Sequence, residues 1–265
     1  MLPASNLYPA SGRSDLAAKT GFRFGAKGTH TSRTMMLTEL TAAFSAVAPD
    51  ATREDFAAAI IEGNCLGKAT TATRRLTNQR LGELYALDPA VPIFRVLRRL
   101  WAIDYVGHGL LALQCTIARD PLLAATVTPI LSMRPGSDLQ RDSIGEALRN
   151  VVGERLSDAT LDKVIRNVSS SWAQSGHLVG RTFKRRALVC PTPGTVAFGL
   201  YLAHAAGFRG MQLFSSGWLS VLDTIPGGAM DMAVEAKRIG LIDLRISGEV
   251  IDLVLDRLDP AEGRT

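Results

Sequence analysis

Aromatic residues are scarce in this chain: Phe, Trp and Tyr together supply 6% of it, while the hydrophobic fraction is 46%. A β-sandwich core depends on β-branched and aromatic side chains. Ala, Leu and Arg, which are plentiful here, favour helices instead. We therefore expect a mainly α-helical fold, and 265 residues give room for one large domain or two small ones.

Cysteine is also sparse, and its three positions, Cys65, Cys115 and Cys190, lie far apart and are odd in number. The sequence contains no CxxC pair and no short Cys/His spacing of the kind that binds zinc. We predict no metal site, and we expect the reduced thiols of a cytoplasmic protein.

Sequence signatures of catalysis are missing as well. There is no GxSxG or HExxH motif, and the four histidines fall in four separate segments. The glycine-rich stretch 21–29 suggests a phosphate loop. However, Lys27 precedes Gly28, whereas that motif ends in Gly-Lys-Ser/Thr. We predict a non-enzymatic binding protein that needs no cofactor.

Long apolar runs are limited to residues 100–118, and that run contains Asp104, His108 and Gln114. Ionisable groups in the middle of a bilayer are costly, so a buried core helix is the better interpretation. The N-terminus lacks the continuous apolar region of a signal peptide. We expect no membrane partner and a cytoplasmic location.

Positive charge is unevenly distributed along the chain, whose net charge is +5. Residues 1–35 hold five bases and one acid, residues 66–80 hold four bases and no acid, and residues 181–186 hold four bases. The stretch beyond residue 240 is net acidic. Such segregation is expected when some faces of a protein bind a polyanion, although solvated helix faces would give the same pattern.

Breaks in the sequence pattern, marked by Pro and Gly, divide the chain into three predicted parts. Residues 1–20, rich in Pro, Ser and Gly, are predicted to form a flexible N-terminal arm. A helical domain is then predicted over residues 21–135, ending at a Pro-Gly break. A winged-helix-like domain with a helical extension would occupy residues 136–265. The predicted fold is thus mainly α, with two helical domains containing helix-turn-helix units and small β-hairpin wings.

The helical extension has its own signals. Pro193 suits the first turn of a helix reaching residue 206, and a second helix is predicted over 229–239. Two short apolar stretches at 241–246 and 250–255 predict a β-hairpin. Its acidic bias argues for packing or a protein partner.

A first helix-turn-helix candidate begins at Thr52, where residues 52–55 resemble a capping box with Asp55 in place of Glu. That helix would stop at Gly63, and a second would run over 68–87 with a small, polar and basic start. Its candidate DNA-binding residues are Lys68, Thr70, Thr71, Arg74, Arg75, Asn78 and Arg80. A plain helical hairpin with solvated arginines remains the alternative.

A second candidate follows at residues 157–186. An apolar stripe at helical spacing predicts a helix over 158–175, capped by Ser157 or Asp158 and ended by Gly176. Two short apolar runs, 177–179 and 187–189, then flank a basic tip, as in a winged helix-turn-helix. The candidate DNA-binding residues are Lys163, Arg166, Asn167 and Ser170 on the helix, and Arg181, Lys184, Arg185 and Arg186 on the wing.

The chemistry of these residues suits double-stranded DNA. Arg and Lys on the wing would neutralise phosphates and release counterions. Arg166 and Asn167 would be placed to reach base edges in the major groove. We expect phosphate contacts to dominate, because the sequence indicates positive charge and no particular base preference.

Three stretches occur in a familiar order: an aromatic and glycine-rich entry at 22–28, a segment at 62–84 containing Asn64 and Lys68, and a late segment at 159–178. In this order they resemble the BrxA-like proteins of bacterial BREX (bacteriophage exclusion) phage-defence systems. The resemblance implies a small, mostly helical, non-catalytic DNA-binding component whose partners are other phage-defence proteins. It leaves self-association open.

Two other functions remain open. The winged-helix unit would serve as a protein-docking scaffold of a defence complex if its basic groups meet an acidic protein. A winged-helix transcriptional regulator would instead carry an effector pocket near Trp101 and His108. An unrecognised hydrolase or nuclease is the least favoured class.

Overall fold

The computed structural model describes residues 6–248 and 250–260. The start of the predicted arm (1–5), the end of the predicted extension (261–265) and Glu249 in the predicted hairpin turn lie outside the described residues. The helices before residue 135 are α1 Asp15–Thr20, α2 Leu37–Ser45, α3 Arg53–Ala57, α4 Thr71–Tyr85, α5 Pro92–Ile103, α6 His108–Arg119, α7 Pro121–Ala125 and α8 Val127–Leu131.

After residue 135, the described residues form the remaining α-helices and four β-strands. They are α9 Arg141–Val152, α10 Asp158–Gln174, β1 Leu178–Val179, β2 Arg185–Arg186, α11 Pro193–Ala206, α12 Gly217–Ser220, α13 Gly228–Arg238, β3 Asp243–Ser247 and β4 Val250–Val254. The prediction of a mainly helical protein with two small antiparallel strand pairs is confirmed.

Helices α6 and α11 lie at the centre. Every side chain of α6 from Leu110 to Arg119 is buried, and α11 is buried along almost its whole length. A helix that is apolar on all sides is stable only when other elements cover it. The amide of Gln114 on α6 donates to the carbonyl of Thr195 on α11 at 3.2 Å. Gly199 allows this approach, because a Cβ there would lie 2.9 Å from the Gln114 amide nitrogen.

The predicted apolar core segment is divided into α5 and α6 by residues 104–107. The Asp104 side chain accepts from the backbone N–H of Gly107 at 2.9 Å and from the Thr192 hydroxyl. A buried core segment is therefore confirmed, but as two helices. Within the described residues, none of the helices combines the length and the apolarity that crossing a bilayer requires.

The N-terminal arm differs from its prediction. Its last residues form α1, which is capped by the Ser14 side chain and packs against α11. The carbonyl of Leu7 accepts from the indole N–H of Trp218 at 2.8 Å. The local composition indicated a loop. It could not reveal that Ala17 is fully buried against an apolar surface from the second half of the chain.

The hydrophobic core is continuous across residue 135. Its buried residues form one cluster that includes α4, α5 and α6 on one side and α10, α11 and α13 on the other. Helix α11 packs against α1, α5 and α6. The division of the chain into two domains stays a prediction.

The hairpin predicted as a wing, residues 178–186 and called the wing below, is part of a small antiparallel structure with β2 in its middle. Leu178 of β1 pairs with Arg186 of β2. On the other edge, the N–H of Leu139 donates to the carbonyl of Lys184 at 2.8 Å, and the N–H of Arg186 donates to Ser137 at 2.9 Å. The predicted hairpin is confirmed, but its second strand lies earlier than the apolar run 187–189 that was expected to form it.

Local signals were most accurate at helix starts and in the C-terminal extension. The capping box at Thr52 and Asp55 is present, and the side chains of Ser157 and Thr192 cap α10 and α11. Strands β3 and β4 pair antiparallel as predicted, with Asp243 opposite Val254.

Packing between α6 and α11 makes a prediction about glycine. A Cβ at Gly199 would also lie 3.1 Å from the Trp218 carbonyl, so Gly199→Ala should lower the free energy of unfolding by about 1–3 kcal/mol through overpacking. Gly82→Ala in α4 is the control: apart from the backbone of α4 itself and the two chain neighbours, no atom lies within 4 Å of its Cβ position. That change should raise stability by about 0.5–1 kcal/mol. Urea unfolding measures both, and equal stability of the two variants would contradict the proposed close contact.

Candidate nucleic-acid interface

Helix α10 presents a narrow exposed line of polar side chains. Its apolar stripe, predicted from the sequence, is buried at Leu161, Val164, Ile165, Val168 and Trp172. The opposite face carries Lys163 and Arg166, which are exposed, and Ser170, which is half-buried. Their spacing places all three on one side of the helix, so these predicted residues remain accessible.

Another part of the predicted outer face is covered by residues 28–37. The Asn167 amide donates to the carbonyl of His30 at 2.8 Å. Ser171 is buried and accepts from the N–H of Met35 at 2.8 Å, and Gln174 accepts from Leu37 at 3.0 Å. Asn167 is therefore less available for DNA than the prediction requires, because its amide holds the N-terminal segment against α10.

The open face of α10 contains acidic partners as well. Asp162 forms ion pairs with both Arg166 and Arg141 of α9, and Asp158 pairs with Arg149. Exposed pairs of this kind contribute at most about 1 kcal/mol. Arg166 can therefore exchange Asp162 for another anion at little cost.

The two wing arginines point in opposite directions, because successive side chains of a strand alternate between its faces. The Arg185 side chain is 65% exposed and pairs with Asp138 at 3.0 Å. The Arg186 side chain is 2% exposed, pairs with Asp223, and donates to the Ile130 carbonyl at 3.2 Å. Arg186 is therefore not available in this structure for the predicted DNA contact, because its side chain is buried and its charge is neutralised by Asp223.

The tip of the wing retains the other predicted cations. Arg181 is exposed and Lys184 is half-buried, and Phe183 between them is 81% exposed. Gly180 has a φ of +102°, and a Cβ there would lie 2.1 Å from the Phe183 carbonyl. The turn therefore requires glycine, which fixes where the tip begins.

Helix α4 supplies less free charge than its sequence suggests. Lys68 pairs with Glu39 at 3.0 Å, and Arg80 pairs with Glu83 at 2.8 Å. The guanidinium of Arg74 donates to the carbonyl of Lys68 at 3.1 Å and to Ile61 at 3.2 Å. These three side chains hold the turn and the helix in place.

The remaining predicted residues of α4 lie on or near its surface. Thr70 caps the helix by accepting from the N–H of Thr73 at 3.2 Å. Thr71 and Arg75 are exposed, and Asn78 is half-buried. The two predicted DNA surfaces are therefore unequal, and the α10 and wing surface holds more of the exposed cations.

A buried polar cluster that sequence reasoning missed joins residues from three distant segments. His30 Nδ1 lies 2.9 Å from an Asp120 carboxylate oxygen, and its Nε2 lies 2.8 Å from Ser171 Oγ. The order resembles a Ser-His-Asp triad. All three side chains are at most 1% exposed, and the Ser171 hydroxyl also donates to the carbonyl of Asn167. The contacts of this cluster hold residues 28–37 against α10 and the start of α7.

Electrostatics in this cluster favour the ionised Asp120. Burial alone would raise the pKa of this carboxyl, but the charge and hydrogen bonds of His30 and the N–H of Leu122 lower it. At His177, burial lowers the pKa to about 4, Arg186 acts in the same direction, and Asp223 partly opposes both.

No protein-family model and no curated protein sequence matches the chain. Functional inference therefore depends on geometry and on the motif resemblance. Among the described residues, no group of His, Cys, Asp and Glu has an arrangement suited to a metal ion.

The alternation in β2 predicts different effects for neighbouring arginines. Arg186→Ala should lower the free energy of unfolding by about 3–5 kcal/mol, because it leaves the buried Asp223 carboxylate unpaired. Arg185→Ala should change stability by at most about 1 kcal/mol. Urea unfolding of the two variants tests this, and a mild effect of Arg186→Ala would show that the residue is not buried.

Acid should destabilise the protein through buried His177. Between the ordinary pKa of 6.5 and the folded value of about 4, the unfolded chain binds a proton at position 177 that the folded chain excludes. Unfolding free energy should therefore fall as pH is lowered through this window, by about 1.4 kcal/mol per pH unit for this residue. Asp120 should add its loss only at lower pH, where the unfolded carboxyl is protonated.

The matched variant is His177→Gln, which keeps a donor for the Val221 carbonyl, 2.7 Å from Nε2, but cannot titrate. Unfolding measured across the window should show a shallower pH dependence by about one proton. His204, whose pKa is lowered to about 4 by burial and Arg209, will retain part of the slope. An unchanged slope in His177→Gln would refute the assignment.

Proposed function

We propose that the protein is a non-catalytic, double-stranded DNA-binding component of a bacterial phage-defence system. DNA would contact the exposed face of α10 and the tip of the wing, mainly through phosphates. The observation that carries this proposal is the placement of Lys163, Arg166, Arg181 and Arg185 on a helix and the hairpin that follows it.

The order of elements supports a winged-helix interpretation. Helices α7 and α8 are followed by a short segment at 136–139, then α9, α10 and the β1–β2 hairpin. This segment pairs with β2, and α9 packs against α7, α8 and α10. In helix-turn-helix proteins with this order, the second helix of the motif enters the major groove, and α10 would be the corresponding helix.

Charge supports phosphate contact more than base readout. The exposed cations are Lys and Arg, which release counterions when they neutralise phosphates. Asn167 is bonded to His30, which leaves Arg166 as the candidate for contact with a base edge. Exposed Arg75 on α4 would add a further phosphate contact if the duplex extends that far.

The phage-defence context rests on the resemblance to BrxA-like proteins in the segments around residues 22–28, 62–84 and 159–178. On that basis we propose a cytoplasmic location and other defence proteins as partners. A docking scaffold is the main alternative, because the same basic surface fits an acidic protein partner.

A titration with random-sequence duplex DNA tests the proposal. The triple variant Lys163→Gln, Arg166→Gln, Lys184→Gln should weaken binding and reduce the slope of log K against log salt by roughly one per lost phosphate contact. These residues are exposed or half-buried, so circular dichroism should show an unchanged fold.

Lys237→Gln is the matched control, since Lys237 is an exposed lysine on α13. It should leave both affinity and salt slope unchanged. If the wild-type protein does not bind duplex DNA at low salt, the proposal is refuted and the docking scaffold is favoured. If the triple variant binds with an unchanged slope of log K against log salt, the interface lies elsewhere on the protein.

A further inference from the structure

A large cavity lies beside α5, on elements other than α10 and the wing. Its volume is about 910 Å³, and its lining comes from α2, the loop after α2, α5 and the start of α6. Pockets for small organic ligands have volumes of about 300–1,000 Å³ and mostly apolar walls with a few polar groups. The aromatic part of the wall consists of Phe44, Phe94, Trp101, Tyr105 and His108.

This aromatic wall is held rigidly. Trp101 and His108 stack with ring centroids 3.8 Å apart and an interplanar angle of 12°. His108 Nε2 lies 2.8 Å from the Trp101 carbonyl, which fixes the orientation of the imidazole. Phe44 meets Trp101 edge-to-face at 5.2 Å. Phe44, Phe94 and Trp101 are each at most 5% exposed. They therefore offer a ligand a fixed, mostly apolar wall, against which an aromatic ring can pack edge-to-face.

The three arginines of the lining differ in their contacts. The Arg95 guanidinium holds Asp259 at 2.7 Å, and Arg98 donates to the carbonyl oxygens of Phe44 and Val47. Arg99 is exposed and lines the cavity, and no ion pair or hydrogen bond of its side chain is seen within residues 6–248 and 250–260.

Among the residues that line the cavity, Asp50 is the acidic one. A guanidinium binds a carboxylate or a phosphate through a planar pair of donors. An anionic group on the ligand would therefore satisfy Arg99, while Asp50 would oppose it at longer range.

We propose that this cavity binds a small planar aromatic anion. The ring lies against the Trp101 and Phe94 side of the cavity, and the carboxylate or phosphate is bound by Arg99. This binding site goes beyond the proposed DNA contact and does not depend on it, since ligand binding can be measured on the protein without DNA.

Three naphthalene probes of similar size test the proposal by calorimetry: 2-naphthoate, 2-naphthyl phosphate and the neutral 2-naphthalenemethanol. At least one anion should bind tenfold or more tightly than the alcohol, about the effect of one charge-assisted hydrogen bond. The anion that binds better identifies the ligand as a carboxylate or a phosphate. Trp101 gives a second readout, because Trp172 and Trp218 are fully buried outside the cavity lining.

Variants at exposed positions separate charge recognition from folding. Arg99→Gln should remove the preference for the anion while leaving the weak binding of the alcohol. Asp50→Asn should strengthen anion binding, and Lys237→Gln on α13 should change nothing. The proposal is overturned if no probe binds saturably, if anion and alcohol bind equally to the wild type, or if Arg99→Gln retains the preference. A failure to bind DNA would leave all these outcomes unaffected.

Discussion

The structure depends on the need to cover two helices that are apolar on nearly all sides. Burial of α6 and α11 is favourable only when other elements surround them, and the two helices come from opposite halves of the chain. Their contact includes a polar group, Gln114, whose amide finds a carbonyl on α11. The outer helices then need only one apolar face each, which leaves part of the opposite face of elements such as α10 exposed to solvent.

Charged side chains inside this arrangement act as ties between segments. Arg119 donates to the carbonyls of Gly82 and Glu83 at the end of α4 and to Gly21 at the end of α1. Arg74 has a similar role at the start of α4. A basic stretch in the sequence is therefore a poor measure of a basic surface, and the positive charge that faces solvent is concentrated on fewer elements than a residue count implies.

Sequence reasoning succeeded where the signal was local. The N-cap at Ser157, the apolar stripe of α10 and the capping box at Thr52 are determined by neighbouring residues. It failed where the answer depended on distant partners. Arg186 is buried because Asp223 lies opposite it, and Asn167 is engaged because the backbone of His30 crosses α10. These partners are 37 and 137 residues apart in the sequence, and contacts over such distances produce no periodic pattern of residue types.

The Arg186–Asp223 pair also constrains how this chain can diverge. Each side chain neutralises the other in a buried setting, so losing either one leaves a charge that water cannot reach. Two apolar residues of matching size would fill the same space. A protein in which only one of the two positions has changed would, however, be poorly stable. Positions 186 and 223 should therefore be inherited together, as both charged or both apolar, and their joint variation would mark descendants that share this wing.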